Sequence, residues 1–127
     1  MKRGGIINAH LAAELCRLGH TDTVMVADSG LPIPAGVAVV DLALVFGIPR
    51  FVDVLDALRK ECVFEGCTAA QEARGTTVGG MIEERFPGTV FVPHDELKTL
   101  TAQAKFVVRT GEATAFSNVL LRCGVPF

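Results

Sequence analysis

Tryptophan and tyrosine are both absent from the 127-residue chain, whose eight aromatic side chains are all phenylalanine. Stacking platforms for a base or a sugar ring are therefore limited to Phe. A basic stripe is missing too: 12 Lys and Arg stand scattered among 14 Asp and Glu, for a net charge of -2. That balance excludes the electrostatic footprint of a nucleic-acid binder and the Lys/Arg cluster that grips anionic lipid. The most apolar stretch, residues 37–58, is interrupted by Asp41, Arg50, Asp53 and Asp56. A membrane span needs about 20 nearly uncharged residues, so none is expected. Asn8, His10 and Glu14 break any signal-peptide core, and a cytoplasmic location is expected. The cysteines Cys16, Cys62, Cys67 and Cys123 complete neither a zinc pattern nor a redox pair, and are expected to be free, mostly buried thiols. The paired glycines of "RGGIIN" and "TVGGMI" fit neither GxGxxG nor a Walker loop, and no GxSxG elbow occurs.

What is present is apolar. Hydrophobic residues make up 50% of the chain, and the mean hydropathy is +0.42. The length fits one domain, residues 1–127, and the apolar excess implies that subunit contacts bury part of it. Asn8 reads as the N-cap of a helix over 9–18, with Leu11, Leu15 and Leu18 on one face and Gly19 as its left-handed terminator. "TVMVA", residues 23–27, is a continuous apolar run of the kind a strand buried on both faces requires. Beyond the "SGLPIPAG" loop, a second strand is expected over 37–45 and a second helix opening at Pro49. Further strands are expected over 62–69, over 89–92, at "FVVRTG" and from Asn118, with helices over 78–85 and 95–104. This alternation predicts a single α/β domain with a mixed, mostly parallel sheet flanked by helices.

Two residues bracket the first strand, His20 before it and Asp28 after it. Asp28 stands at a strand C-terminus, where α/β proteins gather their sites. It could equally cap the Ser29-Gly30 turn. Fully extended, the eight residues from His20 to Asp28 would span about 26 Å. Sharing a substrate would require either that the Gly19–Asp22 turn folds back or that His20 comes from a neighbouring subunit. His94 lies at a helix N-terminus, among free N–H groups, whereas His10 has no evident role. "RTGEATAFSNVLL" gathers Thr110, Glu112, Thr114, Ser117 and Asn118 in or beside one loop. Hydroxyl and amide groups of this kind suit a neutral polyol, and they are also ordinary turn residues.

The segments "GGIIN", "RLGHTDTVMVADSGLPIP", "DLALVFGIPRFVDVL", "HDELK", "VVRTGEATAFSNVLL" and "CGVPF" resemble the ribose/fucose mutarotase family, on its D-ribose pyranase branch. The similarity covers residues 1 to about 60 and 92 to 127, while 61–91 match loosely and look shortened. The resemblance implies an enzyme that interconverts β-D-ribopyranose and β-D-ribofuranose without cofactor or metal. It also implies a ring-like homo-oligomer, commonly a decamer, with sites between subunits. On this basis His20 is the catalytic proton donor, and Asp28, His94, Phe116, Ser117 and Asn118 contact the sugar. Phe116 stands where the family usually has tyrosine, leaving an apolar wall without its hydroxyl; this puts sugar preference in question. L-fucose mutarotation and silent sugar binding are the alternatives.

Overall fold

The run Thr23–Ala27 is apolar throughout because both of its faces are covered. In the computed structural model, which describes residues 1–127, it forms strand β1. Side chains alternate across a strand, so Val24 and Val26 enter one hydrophobic cluster while Met25 and Ala27 enter another on the opposite face. The remaining strands are β2 (Ala38–Asp41), β3 (Phe64–Ala70), β4 (Val90–Val92), β5 (Phe106–Arg109) and β6 (Val119–Cys123). They form one sheet in the order β2-β5-β1-β6-β3-β4. Only β6 runs against its neighbours β1 and β3; every other pairing is parallel. The C-terminal ends of five strands therefore share one edge of the sheet, the edge at which β6 begins.

Helices cover the two faces unequally. The helices α1 (Ala9–Cys16), α2 (Phe51–Glu61) and α3 (Thr77–Arg85) lie on the Val24/Val26 side through Leu11, through Phe51, Val54, Leu55 and Leu58, and through Val78 and Ile82. The other face is closed by Leu97 of α4 (His94–Thr101) and by Leu31 and Ile33 of the loop after β1. The four cysteines are free. Two of them, Cys67 and Cys123, are buried, Cys62 is half-buried and Cys16 is exposed. Burial pushes the Cys67 and Cys123 thiols up to about 11, so neither is a ready thiolate. No helix is long and apolar enough to cross a membrane.

Element types follow the sequence pattern, while several ends differ. Asn8 caps α1 as expected, its Oδ1 accepting from the Leu11 N–H at 2.9 Å. The helix nevertheless stops at Cys16, and the left-handed residue is Thr21 (φ 69°) rather than Gly19. Two contacts impose this turn: Asp22 Oδ2 accepts from the Gly19 N–H at 2.8 Å, and the Thr21 N–H donates to the Cys123 carbonyl at 3.0 Å. Strand β2 spans four residues instead of nine because its partner β5 offers only Phe106–Arg109. Helix α2 begins at Phe51, since the Pro49 carbonyl is held outside it by the Gly111 N–H at 2.9 Å.

The loop after β5 is fastened to its surroundings before it reaches the site. The Thr110 N–H and hydroxyl both donate to the Ala27 carbonyl, at 2.9 and 2.8 Å. Gly111 sits against the carbonyls of Val45 and Ile48, where a Cβ would collide. Glu112 accepts from the Phe51 N–H at 3.2 Å with Oε2, and from the Ala113 and Thr114 N–H groups, each at 3.1 Å, with Oε1. Burial works to raise the Glu112 carboxyl, but these N–H donors prevail and hold it below its ordinary range.

Two outcomes are expected. Leu55 is fully buried beneath the sheet, so Leu55→Ala should lower unfolding stability by about 2–5 kcal/mol in urea titrations. A carboxyl with a depressed folded-state pKa stabilises above its unfolded pKa of about 4.3, and that contribution disappears as pH falls through the folded value. The stability gap between the wild type and Glu112→Gln should therefore be widest near neutrality and shrink in urea titrations carried below pH 4.

Candidate active site

At the shared C-terminal edge of the parallel strands, a cleft of about 330 Å³ opens between the loop after β1, the start of α4 and the loop before β6. That size suits a small molecule. Asp28, His94, Phe116 and Asn118 all line it. The first and last of these are locked together: the Asp28 N–H donates to Asn118 Oδ1 at 2.9 Å, and Asn118 Nδ2 donates to Asp28 Oδ2 at 2.8 Å. Asn118 is fully buried, so this pairing supplies the partners its amide requires. Asp28 Oδ1 also accepts from the Gly30 N–H at 3.0 Å. Asp28 thus caps the turn and at the same time faces the cleft.

His94 is the first residue of α4, and its N–H is held by the Glu72 carboxylate at 3.0 and 3.2 Å. Its ring meets Phe116 edge to face, with centroids 5.1 Å apart and an interplanar angle of 83°. Nδ1 of His94 is buried without a partner. Phe116 holds the left-handed conformation (φ 64°), uncommon for a bulky residue and of the kind that gathers at functional sites.

Not every predicted residue reaches the cleft. Ser117 is fully buried, and its hydroxyl donates to the Thr114 carbonyl at 2.8 Å, so its side chain shapes the loop from within. The Thr110 hydroxyl is likewise spent on Ala27. Lys98, one turn beyond His94, and Leu31 and Pro32 of the "SGLPIP" loop also line the cleft. Sequence reasoning passed over them, although the spacing of four residues between His94 and Lys98 was the available signal. His10 is exposed at the start of α1.

His20 lies elsewhere. The Gly19–Asp22 turn precedes β1, so the strand's five residues, about 17 Å of extended chain, separate it from Asp28. Its Nε2 is 3.1 Å from Glu65 Oε2, and Glu65 Oε1 is 3.2 Å from Arg122 Nε. Around it lie Leu15, Leu18, Val63, Val125 and Phe127, the last three exposed. At the other end of the sheet, Leu44, Val45, Phe46 and Ile48 are equally exposed beside Ser29. The chain therefore carries His20 and Asp28 at opposite ends of β1, each flanked by uncovered apolar side chains.

The model of the RbsD / FucU transport protein family matches residues 1–126. D-ribose pyranase of Streptomyces avermitilis is 54% identical over 129 aligned positions, with 100% of both chains covered. D-ribose pyranase 1 of Rubrobacter xylanophilus is 56% identical, again over 100% of each chain. The match to these relatives runs through residues 61–91, where the motifs alone show little likeness, and in them it leaves no room for a large deletion. Bacillus subtilis RbsD, solved in complex with D-ribose, superposes with a TM-score of 0.94 at 42% identity and covers both chains in full. The L-fucose complex of the fucose mutarotase from Streptococcus pneumoniae shares the fold, with a TM-score of 0.81, 18% identity and 95% of each chain covered. With the family model spanning nearly the whole chain and full-length relatives above half identity, the chain belongs to the RbsD / FucU transport protein family.

Proposed function

We propose that the protein is a D-ribose pyranase acting in the cytoplasm, which interconverts β-D-ribopyranose and β-D-ribofuranose at a site shared by two copies of the chain. The names carried by full-length relatives above half identity support the reaction, and the ribose complex of a neighbour at 42% identity supports the sugar. One observation carries the sharing: His20 and Asp28 occupy opposite ends of β1. A head-to-tail contact that buries Val63, Val125 and Phe127 of one copy against Leu44, Val45, Phe46 and Ile48 of the next would bring the two together. Such heterologous contacts form rings when the rotation between successive copies closes, in keeping with the ring-like decamer that the family resemblance implies.

Ring opening leaves the oxidation state of the sugar unchanged, so it needs proton transfer and no redox partner. His20, as imidazolium, gives its proton to the ring oxygen while the bond from C1 to that oxygen breaks and its electron pair stays on the oxygen. The proton of the anomeric hydroxyl passes to Asp28, and C1 becomes an aldehyde. Each Asp28 oxygen accepts one hydrogen bond from the protein and keeps a lone pair for this purpose. On closure the 4-hydroxyl attacks C1 and returns its proton to His20, while Asp28 reprotonates the new anomeric oxygen. His94 orients the hydroxyls, Asn118 holds the Asp28 carboxylate in place from below, and Phe116 supplies the apolar wall. L-fucose as substrate has only the likeness of fold behind it.

Saturation-transfer NMR on D-ribose should detect accelerated exchange between pyranose and furanose, and His20→Ala should abolish the acceleration. Binding without acceleration would instead mark a silent sugar-binding relative. Mixing decides whether the site is shared. His20→Ala and Asp28→Ala are each expected to be inert alone, but reassembled in equal amounts they should regain about a quarter of the wild-type rate, because randomly mixed neighbours restore complete sites. A site contained within one chain would give no recovery.

A further inference from the structure

Glu65 belongs to no part of the cleft, yet three independent features aim it at His20. The first is a break in strand pairing. Along β3 and β6, Phe64 pairs with Cys123 and Gly66 with Arg122, which leaves Glu65 as the extra residue of a β-bulge. Bulges re-aim a side chain away from the regular alternation, and they recur beside active sites. Space is the second feature: Gly124 lies against the start of β3, where a Cβ on residue 124 would approach Val63 Cγ1 to 3.2 Å and the Glu65 Cβ to 3.3 Å. The third is the division of the carboxylate, with Oε1 in an ion pair with Arg122 Nε at 3.2 Å and Oε2 lying 3.1 Å from His20 Nε2. With Arg122 engaging one oxygen, the other is left to face the imidazole.

We propose that Glu65 is the positioning residue for His20, its carboxylate accepting the Nε2 hydrogen so that Nδ1 is the nitrogen that exchanges a proton with the sugar. This inference rests on the reading of His20 as the proton donor. The hydrogen bond made by one ring nitrogen decides which state the other takes. With Nε2–H given to Glu65, the imidazolium carries its transferable proton on Nδ1. Loss of that proton to the ring oxygen leaves a neutral ring still protonated at Nε2, the tautomer the carboxylate holds. On closure Nδ1 recovers a proton from the attacking hydroxyl. Glu65 itself gives up and gains none, as is usual for a carboxylate that orients a histidine.

The experiment compares Glu65→Ala, Glu65→Gln and His20→Ala in ribose exchange, with assembly followed by size-exclusion chromatography. Glu65→Ala is expected to lower kcat tenfold or more, the scale of a lost acid–base arrangement, with KM within about twofold of wild type. Glu65→Gln, whose amide oxygen still accepts from Nε2, should recover part of that loss. Wild-type kcat in Glu65→Ala, beside an inert His20→Ala, would overturn the positioning role alone. Wild-type exchange in His20→Ala would overturn the acid assignment beneath it. Should Glu65→Ala fail to assemble, Glu65→Gln decides: an assembled Gln variant with lowered kcat and unchanged KM supports the role, and a change confined to KM overturns it.

Discussion

A primary amide buried away from water must find partners for its carbonyl and its NH₂, or it costs several kcal/mol. Asn118 finds both in a single residue, taking the Asp28 N–H and giving its own hydrogen to the Asp28 carboxylate. This reciprocal pair forms where β1 ends and β6 begins, so the junction of two central strands also fixes a carboxylate at the mouth of the cleft. The surrounding loops lean on the same junction. Glu112 ties the last loop to α2 through Phe51, and its carbonyl accepts from the Ser29 N–H at 2.9 Å, beside Asp28. The cleft is thus built from backbone already committed to the sheet.

The alternation of apolar and polar segments was enough to read the α/β class, the β1 span and the capping role of Asn8 from sequence, because each rests on local chemistry. Ends set by tertiary contact were not readable. Strand β2 is only as long as β5 allows, and α2 starts late because a glycine 62 residues further on holds the Pro49 carbonyl. Thr21 in place of Gly19 as the left-handed residue has the same origin, a hydrogen bond that its N–H donates to the far C-terminal strand.

The site was legible in part for the same reason. Asp28 and His94 could be located by strand ends and helix starts, and Asn118 by the polar loop around it. Both are fully buried, and it is their hydrogen-bond partners that separate Ser117 from Asn118, adjacent in sequence and alike in polarity: one hydroxyl is used up inside its own loop, whereas the neighbouring amide reaches Asp28. Glu65 carried no local signal at all. A bulge is a mismatch between two strands, and it exists only once β3 has met β6.

The two uncovered apolar ends have a consequence for turnover. Where each half of a reaction centre belongs to a different copy, output per chain is not a constant of the molecule. It follows mass action, rising with protein concentration until association saturates and fading on dilution even while every subunit stays folded. The greasy side chains on Leu44–Ile48 and Val125–Phe127 would then set the threshold concentration above which the chain works at all.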